Sequence, residues 1–240
     1  MIKEIIPRRR PSANVGAFNI LPSGDHRLEH MDFSLIQLRA LARMFGGTVN
    51  DVYLGSLAYA IRQWHGVLTG ANLPPLPIKM PMSTRKKGEE YRLLNAVVAA
   101  PILLPCDESS ASAAVNEVIE QTMRLRLSRR RDAARLLVSN IPPKMGARAV
   151  ARQSSTVGAW LSHMDFGPRL VHQGKPAVRA ALFTDLAEKV LLYTAMTSYE
   201  ETARLTIVYD MALPTAHEIG DHWLEVLNNL SESFSVCAER

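Results

Sequence analysis

Apolar positions along this chain follow two periods. Leu35, Ile36, Leu38, Leu41, Ala42 and Phe45 recur at helical spacing behind Ser34, a residue suited to capping a helix, and Gly46-Gly47 supplies a stop. A second helical run opens at Thr48, with Asp51 three residues on in the position of a capping box. It continues through Val52, Leu54, Leu57, Ala58 and Ile61 to Trp64. Ala114, Val115, Val118, Ile119, Thr122 and Leu125 form the stripe of a long helix from Ser109 to about Arg130. Ile219, Trp223, Val226, Leu227, Leu230 and Phe234 form another, from about Thr215 to Cys237. Two shorter helical segments are expected on either side of Pro142-Pro143.

Extended patterns fill the intervals. Arg27–Phe33 reads as a strand, with Leu28, Met31 and Phe33 as its core partners. Ile78–Thr84 reads as another, and Pro81 marks it as a strand end, an edge or a bulge. Asn95–Leu104 is expected as a buried strand, followed later by Ala159–Met164, Ala177–Phe183, Val190–Ser198 and Arg204–Tyr209. Pro74-Pro75-Leu76-Pro77 is a stiff connector and Arg85–Arg92 a charged loop. This order predicts an α/β, or layered α+β, domain: a mixed β-sheet flanked by helices. It lacks the strict strand–helix alternation of a Rossmann or TIM fold. Residues 1–24, rich in Pro, Arg, Gly and Asn, form an extended lead-in, and residues 25–240 a single domain.

Composition narrows the class without naming a function. The 240 residues are 47% hydrophobic and 21% charged, an ordinary globular balance. The two cysteines, Cys106 and Cys237, exclude a disulfide scaffold and suit a reducing compartment. The longest apolar run, Ala96–Leu104, contains Pro101 and is far shorter than a membrane span of about 20 residues. Pro7 and Arg8-Arg9-Arg10 interrupt any signal-peptide core, so a cytoplasmic location is the default. The net charge of +5 is uneven: residues 185–240 hold ten acids against three bases, whereas Arg124–Arg152 holds nine bases against Asp132 alone. That basic stretch is read either as a solvated helical face or as a site for phosphate or an anionic lipid surface. No recognised nucleic-acid motif accompanies it, and no nucleic-acid partner is expected.

Familiar chemistry is missing. There is no GxGxxG, Walker A loop, HExxH or Gly-x-Ser-x-Gly elbow. The seven histidines form no ligand cluster, so no metal and no bound cofactor are expected.

The stretch Gly47-Thr-Val-Asn-Asp-Val-Tyr-Leu-Gly-Ser-Leu-Ala-Tyr-Ala-Ile-Arg-Gln-Trp64 resembles the helix bearing the Asn-Asp motif of the bacterial wax ester synthase/diacylglycerol acyltransferase family. That family lies within the wider group of CoA-dependent acyltransferases and condensation domains. His26–Ala42 is similar to the strand and helix preceding that motif. Met80-Pro-Met-Ser-Thr-Arg85 resembles the family's Pro-x-Ser-x-Arg strand, and Tyr199–Asp210 its late hairpin. Three departures stand out. Leu94-Asn95 replaces Gly-Asn, His163 replaces Asn in the loop Ser162–Pro168, and a hairpin glycine near Glu201 is missing.

The resemblance implies one half, the C-terminal half, of a CoA-dependent-acyltransferase-like fold. The reaction it implies is acyl transfer from acyl-CoA or a carrier-protein thioester to an alcohol, diacylglycerol or amine. The family's catalytic His-His-x-x-x-Asp-Gly belongs to the other half and is not in this sequence, so the resemblance assigns no catalytic residue here. An N-terminal half, upstream or on a separate chain, is the implied partner. The rival reading is a non-catalytic binding or scaffold module.

On the same resemblance Asn50 and Asp51 form a structural motif. Ser83, Arg85, Ser162, His163, Asp165, Tyr199 and Asp210 are candidates for lining a tunnel, and Arg85 is a plausible partner for Asp51 or Asp210. Arg124, Arg131, Arg135, Lys144, Arg148 and Arg152 are candidates for binding phosphate. An apolar face left bare by the missing half is expected around Ile78–Ser83 and the loop Ser162–Pro168.

Overall fold

The computed structural model describes residues 16–85, 88–89, 97–128, 159–167 and 169–238. After a 3-10 turn at Gly16–Phe18, strand β1 (His26–Ser34) leads into helices α1 (Leu35–Met44) and α2 (Val49–Thr69). Strands β2 (Leu76–Ser83) and β3 (Val97–Leu104) precede α3 (Ala111–Leu127). Then come β4 (Ala159–Asp165), a short ladder of β5 (Val171–His172) and β6 (Lys175–Pro176), β7 (Leu192–Tyr199), β8 (Thr202–Asp210) and α4 (Glu218–Ala238).

Six strands form one mixed sheet in the order β1-β8-β7-β4-β2-β3. β1 pairs with β8, β8 with β7 and β2 with β3 antiparallel, whereas β4 runs parallel to β7 and to β2. The expected mixed sheet flanked by helices is therefore the observed architecture. The caps expected at Ser34 and Thr48 also form. Ser34 Oγ accepts from the Gln37 amide, and Thr48 and Asp51 make a complete capping box. The α3 cap is Ser110.

α2 is the centre of the molecule. Leu54, Leu57, Ala58, Ile61 and Trp64 are fully buried, as are Tyr53 and Ser56 on its other sides. Each large apolar side chain so buried contributes roughly 1.5–3 kcal/mol. The polar tips inside this core are paired. Tyr53 Oη lies 2.6 Å from Thr194 Oγ1 on β7, and Trp223 Nε1 donates to Ser56 Oγ at 2.9 Å. Trp64 Nε1 donates to Pro214 O and Thr215 Oγ1. Phe18, within the residues expected as a lead-in, meets Trp64 edge to face at 5.9 Å.

Several strand expectations need correction. Leu28 is exposed because it faces away from the helices, opposite to Met31 and Phe33; three-residue spacing on a strand changes face. Ile36 likewise lies on the outer side of α1, 56% exposed. β3 is an edge strand rather than a buried one. Ala100, Ile102 and Leu104 point inward while Val97 and Pro101 are exposed, and an edge tolerates the missing N–H of Pro101. Pro81 sits beyond the two positions, Ile78 and Lys79, where β2 pairs with β4. Ile78 and Met80, expected on a bare face, are buried under the helices. The helical segments expected around Pro142-Pro143 lie outside the described residues.

Ala177–Phe183 is not a strand. Both edges of β7 are already paired, so this segment crosses the second face of the sheet instead. Its carbonyls find side chains: Thr197 Oγ1 donates to Ala180 O, and Tyr199 Oη donates to Ala177 O, each at 3.0 Å. Leu182 and Leu186 pack there against Tyr193, Ala195 and Val208.

Gly55 lets α2 and α3 touch. A Cβ at this position would lie 2.4 Å from the Val115 Cα. The Gly55→Ala variant is expected to lose about 1–3 kcal/mol through overpacking, read as a lower midpoint in chemical denaturation.

Candidate functional site

The Asp51 carboxylate is 1% exposed and joins two helices. Its Oδ2 accepts from the Thr48 amide and hydroxyl, both at 2.8 Å, and its Oδ1 accepts from Thr122 Oγ1 on α3 at 2.7 Å. Arg126, one turn further along α3, reaches Oδ2 at 3.4 Å and also donates to Thr122. Asp51 therefore satisfies the start of α2, interacts with the positive end of that helix and ties α3 to it. Its neighbour Asn50 donates from Nδ2 to Met80 Sδ at 3.2 Å, while Asn50 Oδ1 is buried without a hydrogen-bond partner among the described residues.

β2, β4 and β7 are mutually parallel, so their carboxyl ends gather at one end of the sheet, where open α/β sheets bind ligands. Ser83 ends β2, and its Oγ accepts from the Arg85 amide; the Arg85 guanidinium donates to Glu89 O at 2.9 Å. His163 and Asp165 lie near the end of β4, on the side facing the helices. His163 Nε2 lies 3.0 Å from Ser198 Oγ on β7. Burial lowers the His163 pKa, and the Asp165 carboxylate opposes that shift. Asp165 Oδ1 also accepts from the Gly167 amide, which fixes the turn after β4. Ser162 faces the opposite side of the sheet, where it hydrogen-bonds the Tyr193 side chain. Tyr199, on that same side, accepts from the Leu170 amide and holds the returning chain.

Asp210 lies at the far end of the sheet, paired in register with His26. Burial acts to raise its pKa, but hydrogen bonds from the Ser23 hydroxyl and the Ser23, Ala212 and Gly24 amides outweigh it, and the pKa is lowered. The structure thus gathers Asn50, Ser83, Arg85, His163 and Asp165 toward one end and places Asp210 at the other. Arg124 is exposed and pairs with Glu120 at 2.8 Å; Arg131, Arg135, Lys144, Arg148 and Arg152 lie outside the described residues.

Two groups in these networks escape sequence reasoning as partners. Thr122 is legible only as a hydroxyl inside an apolar stripe, which signals a buried acceptor without saying which. Ser198 carries no signal, because its partner lies 35 residues away.

The Asp51→Ala variant removes the carboxylate half of the capping box and its link to Thr122 and Arg126 on α3. The expected loss is about 1–3 kcal/mol, a drop of several degrees in thermal midpoint by circular dichroism. Acid sensitivity arises at Asp32. The bidentate Arg204 guanidinium, at 2.7 and 2.6 Å, holds the Asp32 carboxyl below its usual pKa. The resulting stability is present above the unfolded carboxylate value of about 4 and disappears as pH falls through the lower folded value. Asp32→Asn should therefore flatten the dependence of the midpoint on pH below about 4, while at neutral pH the midpoint falls.

No protein-family model matches this sequence. Over 63 residues it is 36% identical to a proposed diacylglycerol O-acyltransferase of Mycobacterium tuberculosis, found in two strains; the match takes in 26% of this chain and 13% of the relative. The wax ester synthase/diacylglycerol acyltransferase of Marinobacter aquaeolei superposes on 94% of this chain with a TM-score of 0.66 at 16% identity. The starter condensation domain of rhizomide synthetase, solved with C8-CoA and Leu-SNAC, covers 86% with a TM-score of 0.54 at 15% identity. This chain spans 53% of the synthase and 44% of the condensation domain chain. The fold is that of the wax ester synthase and condensation-domain proteins, matched over about half of their length.

Proposed function

We propose that this chain forms the C-terminal half of an acyl-transfer module. The module moves an acyl group from a thioester, acyl-CoA or a carrier-protein conjugate, to the hydroxyl or amine of an acceptor. A second half bearing His-His-x-x-x-Asp-Gly supplies the base that activates the acceptor, since a general base must lie within hydrogen-bond reach of the proton it removes. The observation that carries this reading is the superposition of 94% of the chain on about half of a wax ester synthase. The helix that resembles the Asn-Asp segment adds support, because its cap and its bracing to α3 are fully formed.

In this module the carboxyl ends of β2, β4 and β7 border the acyl path, with Ser83, Arg85, His163 and Asp165 beside it. Arg124 and the basic residues that follow it are suited to the phosphates of CoA or phosphopantetheine, or to an anionic lipid surface. Among the described residues no helix is long and apolar enough to cross a membrane.

The isolated chain, assayed with long-chain acyl-CoA and hexadecanol or diacylglycerol, should give no ester product. Co-expression with a His-His-x-x-x-Asp-Gly half should give a stable complex with an interface above about 1,000 Å2. Ester formation by the isolated chain, abolished by a single His substitution within it, overturns the half-module reading. A monomer that fails to pair favours a stand-alone binding module.

A further inference from the structure

We propose that Ser198 and His163 form a nucleophilic dyad that carries the acyl group covalently, so that this chain supplies an acyl-serine waystation for the transfer proposed above. The inference rests on that acyl-transfer reading for its substrate class and on separate geometry for its site. The two side chains come from adjacent parallel strands near their carboxyl ends, and His163 Nε2 lies 3.0 Å from Ser198 Oγ, within reach for proton transfer.

The surroundings suit a nucleophile and its base. Ser198 is 3% exposed, with its backbone carbonyl fixed by the Phe166 amide at 3.0 Å. His163 is only partly buried, which makes the imidazole the more exposed member of the pair. Burial favours the neutral imidazole, the form that can take a proton, and the Asp165 carboxylate favours the imidazolium that results. A side chain lacking a basic nitrogen at position 163, as in the Asn-bearing loop this segment resembles, could not serve as that base.

The step balances without any co-reactant beyond the thioester. Ser198 Oγ bonds to the thioester carbonyl carbon while its proton passes to His163 Nε2. The carbon–sulfur bond then breaks, and the departing thiolate takes the proton from His163. The resulting ester on Ser198 is resolved by the acceptor hydroxyl or amine, activated by the base of the other half. Without that half the acylated chain stalls, which agrees with the expected absence of ester product from the isolated chain.

The test uses the full chain with p-nitrophenyl acetate, a small activated ester that needs no completed tunnel. The expected result is a burst of about one p-nitrophenolate per chain, with the acetyl group found by peptide mass spectrometry on Ser198. Ser198→Ala should abolish that label, and His163→Asn should slow its formation by about 10²–10⁴-fold. Ser198→Cys should restore a burst, which shows that loss in the Ala variant is chemical rather than a folding failure. Circular dichroism of each variant gives the same control. Acetylation confined to other residues, or a burst rate unchanged in Ser198→Ala or His163→Asn, overturns the dyad. Such a result leaves the half-module reading standing, because pairing with a His-His-x-x-x-Asp-Gly half does not involve Ser198. Acetyl-Ser198 in a chain that pairs with no such half leaves the dyad and removes the module.

Discussion

The Asp51 carboxylate is buried between two helices and must be satisfied there. A buried carboxylate without partners would neutralise or push its surroundings apart, so its position depends on the Thr48 amide and hydroxyl, the Thr122 hydroxyl and the Arg126 guanidinium. The start of α2 in turn uses Asp51, which accepts from the Thr48 amide and completes the capping box of a helix that the core encloses along most of its length. Fixing the start of α2 sets where Tyr53 meets Thr194, where Ser56 meets Trp223 and where Gly55 admits α3. The close approach at Gly55 and the bridge at Asp51 act on the same pair of helices, one by permitting contact and the other by fixing its register.

With α2 in place, the sheet beneath it has one end where chemistry can collect. Three parallel strands finish together, and turns held by short-range hydrogen bonds follow two of them: Ser83 to Arg85 and Asp165 to Gly167. His163 and Ser198 meet there because β4 and β7 are neighbours in the sheet, although the long 166–191 excursion separates them in the chain. That excursion is also structural. It covers the second face of β7, and Thr197 and Tyr199 take up carbonyls that an additional strand partner would have satisfied.

The hairpin that links β7 to β8 closes without a glycine. Tyr199 opposes Thr202 across a two-residue turn, and Glu200 adopts φ 51°. A glycine takes this conformation freely, whereas a residue with a Cβ is strained by roughly 1–2 kcal/mol. Eight consecutive register pairs between the two strands, all buried or nearly so, hold the turn closed despite that strain.

The sequence by itself determined the four long helices, the caps of the first two and the class of the fold, because these follow from local spacing and from side chains that bond within four residues. Ser34, Thr48, Asp51 and the stripes of α2, α3 and α4 are all of this kind. It also marked most strands, although Ala177–Phe183 shows the limit: an extended pattern becomes a strand only where a sheet edge is free. Tertiary structure alone decided which faces were covered, that β3 is an edge, and that Thr122 and Arg126 complete the Asp51 site. It alone brought His163 to Ser198 and sent Asp210 to the opposite end of the sheet to hold Ser23 and Gly24. Those outcomes depend on strand order, and strand order is set by packing between segments far apart in the chain, which no local pattern encodes.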